Sequence, residues 1–362
     1  MGFKCGIVGL PNVGKSTLFN ALVSAMMAEA ANYPFCTIEP NVGKVGVPDE
    51  RLDNLAALAK SAKVVPAQIE FVDIAGLVRG ASKGEGLGNQ FLGHIREVNA
   101  IAYVLRCFED PDVTHVEGSV DPIRDAQTIE TELMLADLES LQKRLPNLEK
   151  KARIDKEAAA TINDIKEVIK VLETGQPATS ADVEPATLQR MQLLTSKPVL
   201  YVCNVDESDA ASGNSHSAKV AEYAASRNAD CVVISAKIEA EIAMLESPED
   251  RSEFLSSLGL ECTGLSKLVR AGYRTLKLIT FFTIGPKEAR AWTIHEGTLA
   301  PQSAGVIHTD FERGFIRAEV ISHDDYMKYK GEAGARDAGR LRSEGKEYKV
   351  CDGDVLHFKF NV

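Results

Sequence analysis

The chain lacks the cysteine pattern of a disulfide-stapled fold. Its seven cysteines, at positions 5, 36, 107, 203, 231, 262 and 351, are scattered, odd in number and form no C-x-x-C pair. Neither a disulfide framework nor a thiolate zinc cage is indicated, and a reducing cytoplasmic compartment is expected. No apolar run approaches the ~18 residues that span a bilayer, and no signal-type stretch precedes the strand-like segment 3–8. Met1-Gly2 does not open a myristoylation signal, because Gly6 stands where a hydroxyl residue is wanted. No membrane role is expected. A basic surplus is also missing: 41 Lys+Arg against 52 Asp+Glu leave a net charge of -11. That excludes a protein gripping DNA or RNA with its whole surface, so any RNA contact must be local.

What is present is enough chain, 362 residues, for two or three units with their own cores. Residues 3–8 read as a buried strand, followed by a Gly-rich turn and a helical stretch from Lys15 to about Ala31. Further strands fit 69–73, 100–108, 199–204 and 231–235, the layout of a mostly parallel α/β sheet. Between 100–108 and 199–204, about 70 residues from Arg124 to Ser196 carry no strand signal. They hold two apolar ladders instead, Leu138/Leu141/Leu145/Leu148 and Ile162/Ile165/Ile169/Leu172. Steps of three and four predict an antiparallel helical hairpin inserted into the α/β domain. Pro146 is expected to kink the first helix or to mark its boundary. Lys143, Arg144, Lys150, Lys151 and Arg153 give the hairpin tip a basic cluster, either a solvated face or a partner surface. From Leu278 onward, β-like runs at 280–284, 289–294, 314–321 and 355–360 predict a small C-terminal α+β domain. The expected domains are therefore 1–123 with 197–277, the hairpin 124–196, and 278–362.

The chemistry begins at Gly9-Leu10-Pro11-Asn12-Val13-Gly14-Lys15-Ser16, which fits G-x-x-x-x-G-K-[ST] between a strand and a helix. Backbone N–H groups of Asn12, Val13 and Gly14, and of Ser16 and Thr17 at the helix start, suit an anion. Lys15 suits the β- and γ-phosphates, and the Ser16 hydroxyl suits Mg²⁺. Asp73-Ile74-Ala75-Gly76 ends a strand as D-x-x-G does, with Asp73 near the metal's shell and the Gly76 N–H toward the γ-phosphate. Thr37 between the two motifs is a candidate second hydroxyl ligand for the metal.

Base recognition is expected at Asn204-Val205-Asp206-Glu207, where a guanine site carries N-K-x-D. The final Asp of that pattern accepts from guanine N1–H and the 2-amino group, whereas adenine offers an acceptor at N1 and no 2-amino group. Here Lys is replaced by Val205 and Asp by Glu207, so guanine selectivity should be lost. Ser235-Ala236-Lys237 follows the next strand, in the position of the loop that closes over the base.

These residues resemble one family closely, the YchF or Obg-like ATPases of the Obg branch of translation-factor-type P-loop proteins. The resemblance spans essentially the whole chain, including residues 32–40, the run from Asp73 to Gly88, the N-x-x-E at Asn204 and Glu207, and a C-terminal region similar to a TGS domain of β-grasp type. It implies a G-domain-like fold, ATP preferred over GTP, slow hydrolysis and association with ribosomes. Leu77 stands where Ras-like proteins place a water-orienting Gln. The resemblance points instead to a histidine on a loop after the third strand, here His115, with His94 as its competitor. Asn12 sits where potassium-activated relatives of this fold hold K⁺. TGS-like domains contact RNA and ribosomes, and 328–349 carries seven Lys/Arg against four Asp/Glu with Tyr326, Tyr329 and Tyr348 interleaved. The expected protein is an Mg²⁺-dependent ATPase switch using hairpin and TGS domain as arms on a ribosomal partner. The rivals are an Obg-type GTPase factor, and an RNA-binding protein whose nucleotide only stabilises it.

Overall fold

The structure, a computed structural model, describes residues 3–30, 41–75, 87–111, 118–151, 156–245 and 247–361. His115, Thr37, Gly76 and Leu77 lie outside the described residues. The strands run β1 (Lys4–Val8), β2 (Val42–Gly46), β3 (Val64–Val65), β4 (Gln68–Asp73), β5 (Ala100–Arg106), β6 (Val199–Asn204), β7 (Asp230–Ile234), β8 (Leu278–Ile284), β9 (Ala289–His295), β10 (Phe315–Ser322), β11 (Arg342–Glu344) and β12 (Asp354–Phe360). By packing, the chain divides into two units, Met1–Gly43 with Glu70–Gly272, and Lys44–Ile69 with Tyr273–Val362.

The first unit is built on a sheet of order β2-β4-β1-β5-β6-β7, in which β4, β1, β5, β6 and β7 pair in parallel. Sequence dictates this directly. Every residue of β5 is buried, so the strand is a continuous apolar run closed by Arg106, as a parallel strand covered on both faces requires. The order places the carboxyl ends of β1, β5, β6 and β7 along one edge, where open α/β sheets carry their ligand crevice.

The inserted segment is the expected hairpin. Helices Pro122–Lys151 and Lys156–Glu173 bury Leu141, Ile165, Val168 and Leu172 against each other, with Leu138, Leu145, Leu148 and Ile169 packed around them. Pro146 does not end the first helix, which continues to Lys151. Near the end of a helix this long, its missing N–H is one lost hydrogen bond, which the packed seam on both sides outweighs.

In the second unit the sheet order is β11-β10-β12-β8-β9-β3. Its core joins Phe281, Ile294, Phe315, Val320, Leu356 and Phe358. Residues 44–69, which the sequence pattern leaves with the first domain, pack here. Val64 and Val65 pair with Ala289 and Arg290, Ser61 Oγ donates to Gly285 O at 2.8 Å, and Arg51 bridges Asp49 and Asp352.

Candidate nucleotide site

β1 ends in a loop whose backbone is left-handed at two points, Asn12 (φ 63) and Gly14 (φ 88). Asparagine tolerates that region and glycine is the residue made for it. At Gly14 a Cβ would also drive into the Asn204 amide, so the position is fixed twice over. The helix Lys15–Ala30 starts immediately, its first turn closed by Leu18 N–H donating to Gly14 O at 3.0 Å. Its N-terminal N–H groups and positive dipole end face the cavity. The loop and helix start thus have the strand–turn–helix geometry that the motif predicts.

Asn204 at the end of β6 holds the cradle to the rest of the site. Its side chain, 4% exposed, donates from Nδ2 to Val13 O and accepts at Oδ1 from the Ala236 N–H, both at 2.9 Å. One amide therefore ties the phosphate loop to the start of the helix Ala236–Met244. Lys15 Nζ and Asp73 Oδ1 form an ion pair, both side chains less than a fifth exposed. The one cation of the P-loop motif and the carboxylate of the D-x-x-G motif thus meet at one point. Ser16 and Asp73 supply hard oxygen donors, the kind Mg²⁺ takes. Among the described residues no cluster of three or more His, Cys, Asp or Glu could hold a metal alone.

A cavity of about 1020 Å³ opens here, bounded by Asn12, Gly14 to Thr17, Asn204 to Asp206 and Ser235 to Lys237. The two sequence motifs and the loop after β7 are brought together as expected. Glu207 is not among the cavity's described boundary residues; beside them its carboxylate accepts from Lys237 Nζ at 3.0 Å, and Asp206 caps the short 3-10 turn Glu207–Asp209 by accepting from the Glu207 N–H. The partnership with Glu207 raises the Lys237 ammonium above its ordinary value. Phe108 to Pro111, following β5, also bound the cavity. Sequence reading gave them no role, and the only signal was their place after a strand whose neighbours carry the motifs. His94 is exposed on the helix Leu87–Glu97 and is not among the cavity's described boundary residues.

Of the basic cluster at the hairpin tip, Arg153 lies outside the described residues. At the hairpin tip Lys143 pairs with Glu139, and Arg144 donates to Met191 O at 3.0 Å. In the C-terminal unit the cations of 328–349 are exposed, but two of the three interleaved tyrosines are not offered as stacking platforms. Tyr326 is buried, and the Tyr348 hydroxyl donates to Asp354 at 2.7 Å while Arg342 covers its ring. Burial and the Asp354 partnership push the Tyr348 phenol well up. Among the described residues no helix is long and apolar enough to cross a membrane.

Comparison with known proteins extends this geometry. A family model described as a 50S ribosome-binding GTPase matches residues 4–135, and a YchF-GTPase C-terminal model, described as a protein of unknown function, matches 278–361. A protein of Pasteurella multocida named ribosome-binding ATPase YchF is 55% identical over 366 residues, covering 100% of both chains. One of the same name from Bacillus subtilis is 53% identical over 368 residues, again covering 100% of each. Among solved structures, the Schizosaccharomyces pombe YchF GTPase superposes with a TM-score of 0.89 at 40% identity, covering 99% of this chain and 98% of that one. A GTP-binding protein of Pyrococcus horikoshii, at 18% identity and a TM-score of 0.61 over 99% and 100% of the two chains, shares the fold.

Proposed function

The chain belongs to the YchF family, and from that premise we propose that it is an ATP-hydrolysing, ribosome-binding switch that takes ATP in preference to GTP. The bacterial relatives are named ribosome-binding ATPases, whereas the Schizosaccharomyces pombe protein is named a GTPase. The observation that favours ATP is at Glu207. Its carboxylate is one methylene longer than the Asp of a guanine site and is turned to Lys237 rather than held ready for guanine N1–H and the 2-amino group. Val205 in turn replaces the Lys whose stem would cover guanine.

In this reading Asn12, Val13, Gly14, Lys15, Ser16 and Thr17 hold the phosphates, with the Gly76 N–H on the γ-phosphate. Asn204, Val205, Glu207, Ser235, Ala236 and Lys237 enclose the base. Ser16, Thr37 and Asp73 hold Mg²⁺, which when bound neutralises phosphate charge. Leu77 has no polar group to aim a water, and His115 takes that role. Asn12 is the group through which K⁺ would act, and a difference in turnover between KCl and NaCl is its test; equal rates remove it. The arms on the ribosome are the hairpin 124–196 and the TGS-like domain 278–362, the latter through its exposed cations rather than tyrosine stacking. DNA and membranes are not partners in this reading, and the compartment is the cytoplasm.

The test is calorimetric binding of non-hydrolysable ATP and GTP analogues to the wild type and to Val205→Lys with Glu207→Asp. The double variant should shift toward GTP. A wild type that prefers GTP would favour the Obg-type GTPase reading.

A further inference from the structure

We propose that Arg106 is a positioning residue for nucleotide binding, its buried guanidinium holding Phe108 to Asp110 in place as the nucleoside-side wall of the cavity. The inference rests on the reading that this cavity takes ATP.

Arg106 closes β5 and is 1% exposed, where an arginine is seldom found without a structural task. Its guanidinium is directed forward along its own chain. Nε donates to Phe108 O and Nη2 to Asp110 O, both at 3.2 Å, and the guanidinium carbon lies 4.6 Å from the centre of the Phe108 ring. The rigid fork therefore clasps the loop from inside, bridging two carbonyls and backing the aromatic ring at once. Phe108 and Asp110 are also among the residues that bound the nucleotide cavity.

The same loop is fastened at its first residue, and on the base side. The Cys107 N–H donates to Asn204 O at 2.8 Å, and Cys107 O accepts from Asn214 Nδ2 at 2.7 Å. Asn204 begins the base-selecting segment, and Asn214 also donates to Asp209 in the turn that starts at Glu207. Arg106 thus pins the far end of a loop whose near end belongs to the base site. A loosened wall should weaken grip on the nucleoside and leave the phosphate cradle of residues 12–17 intact.

Lysine keeps the charge but is a point donor that cannot bridge both carbonyls or lie flat against the ring. For Arg106→Lys the affinity for a non-hydrolysable ATP analogue should fall about tenfold or more, the worth of one charge-assisted hydrogen bond. Affinity for inorganic tripolyphosphate, measured by the same calorimetry on the full chain, should stay within about twofold. Phe108→Leu, which leaves the guanidinium bonds in place, should lower affinity for the ATP analogue alone and covers the case in which the lysine variant does not fold. Equal losses for both ligands, or no loss for either in the variants that fold, would overturn the inference while the ATP reading stands. A wild type that binds the ATP analogue no better than tripolyphosphate would overturn both.

Discussion

Asn204→Ala tests how the site is held together. The amide is buried and makes two bonds of 2.9 Å, to Val13 O and from the Ala236 N–H. Truncation leaves one backbone acceptor and one backbone donor without that partner. Each buried orphan costs about 1–3 kcal/mol, and water entering from the adjoining cavity recovers part of it. The expected loss is about 2–4 kcal/mol. It would be read from urea unfolding followed by far-UV circular dichroism, with the denaturant slope unchanged. Asn204→Asp sharpens the argument. Its carboxylate still accepts from Ala236 but sets an anion against the Val13 carbonyl, and only the protonated acid can donate there. This variant should therefore regain stability relative to wild type as pH falls through the carboxylate range, opposite to the usual trend for an ion-paired acid. A loss below about 0.5 kcal/mol for Asn204→Ala, a typical surface value, would refute the view that this amide ties the phosphate loop down.

Three further expectations follow from other parts of the first unit. Gly14→Ala combines a left-handed backbone with a Cβ driven into Asn204, so nucleotide binding should disappear in a calorimetric titration while far-UV dichroism shows the fold retained. Leu141→Ala in the fully buried hairpin seam should cost about 2–5 kcal/mol of local stability, visible as faster amide exchange in the helices Pro122–Lys151 and Lys156–Glu173. Glu239 accepts from the N–H groups of Gly264 and Leu265 at 2.6 and 3.2 Å, yet burial holds its carboxyl above the ordinary value of 4.5. A folded state that keeps its proton longer than the unfolded one loses stability as pH rises from 4.5 toward the raised value. Glu239→Gln should remove that slope from the urea midpoints, and an unchanged slope would show that other groups set it.

Much of this was legible because the signals are local. A glycine-rich turn between strand and helix, two apolar ladders stepping by three and four, and D-x-x-G at a strand end each need only neighbouring residues to be recognised. The residues enclosing the cavity at Gly14 to Ser16, Asn204 and Ala236 follow from motif position alone. What escaped is long-range. Val64-Val65 is too short to announce itself as a strand, and its partners Ala289 and Arg290 lie more than two hundred positions later, so nothing local assigns 44–69 to the C-terminal sheet. Arg106 and Phe108 to Pro111 carry no motif, and their place in the site comes from strand order. Tyr326 and Tyr348 read as interleaved aromatics in the sequence, but period and charge could not show that one is core and the other is spent on Asp354. Of the two outcomes expected at Pro146, a boundary is the one that the packed seam around it overrides, since the helix runs on to Lys151.

The central claim is that the base end of this cavity takes adenine rather than guanine. Equilibrium titration of the wild-type chain with non-hydrolysable ATP and GTP analogues, with Mg²⁺ present and salt held constant, tests it most directly. The ATP analogue should bind more tightly by about tenfold or more, the worth of one well-placed hydrogen-bond mismatch. Equal affinity, or tighter binding of the GTP analogue, would contradict it.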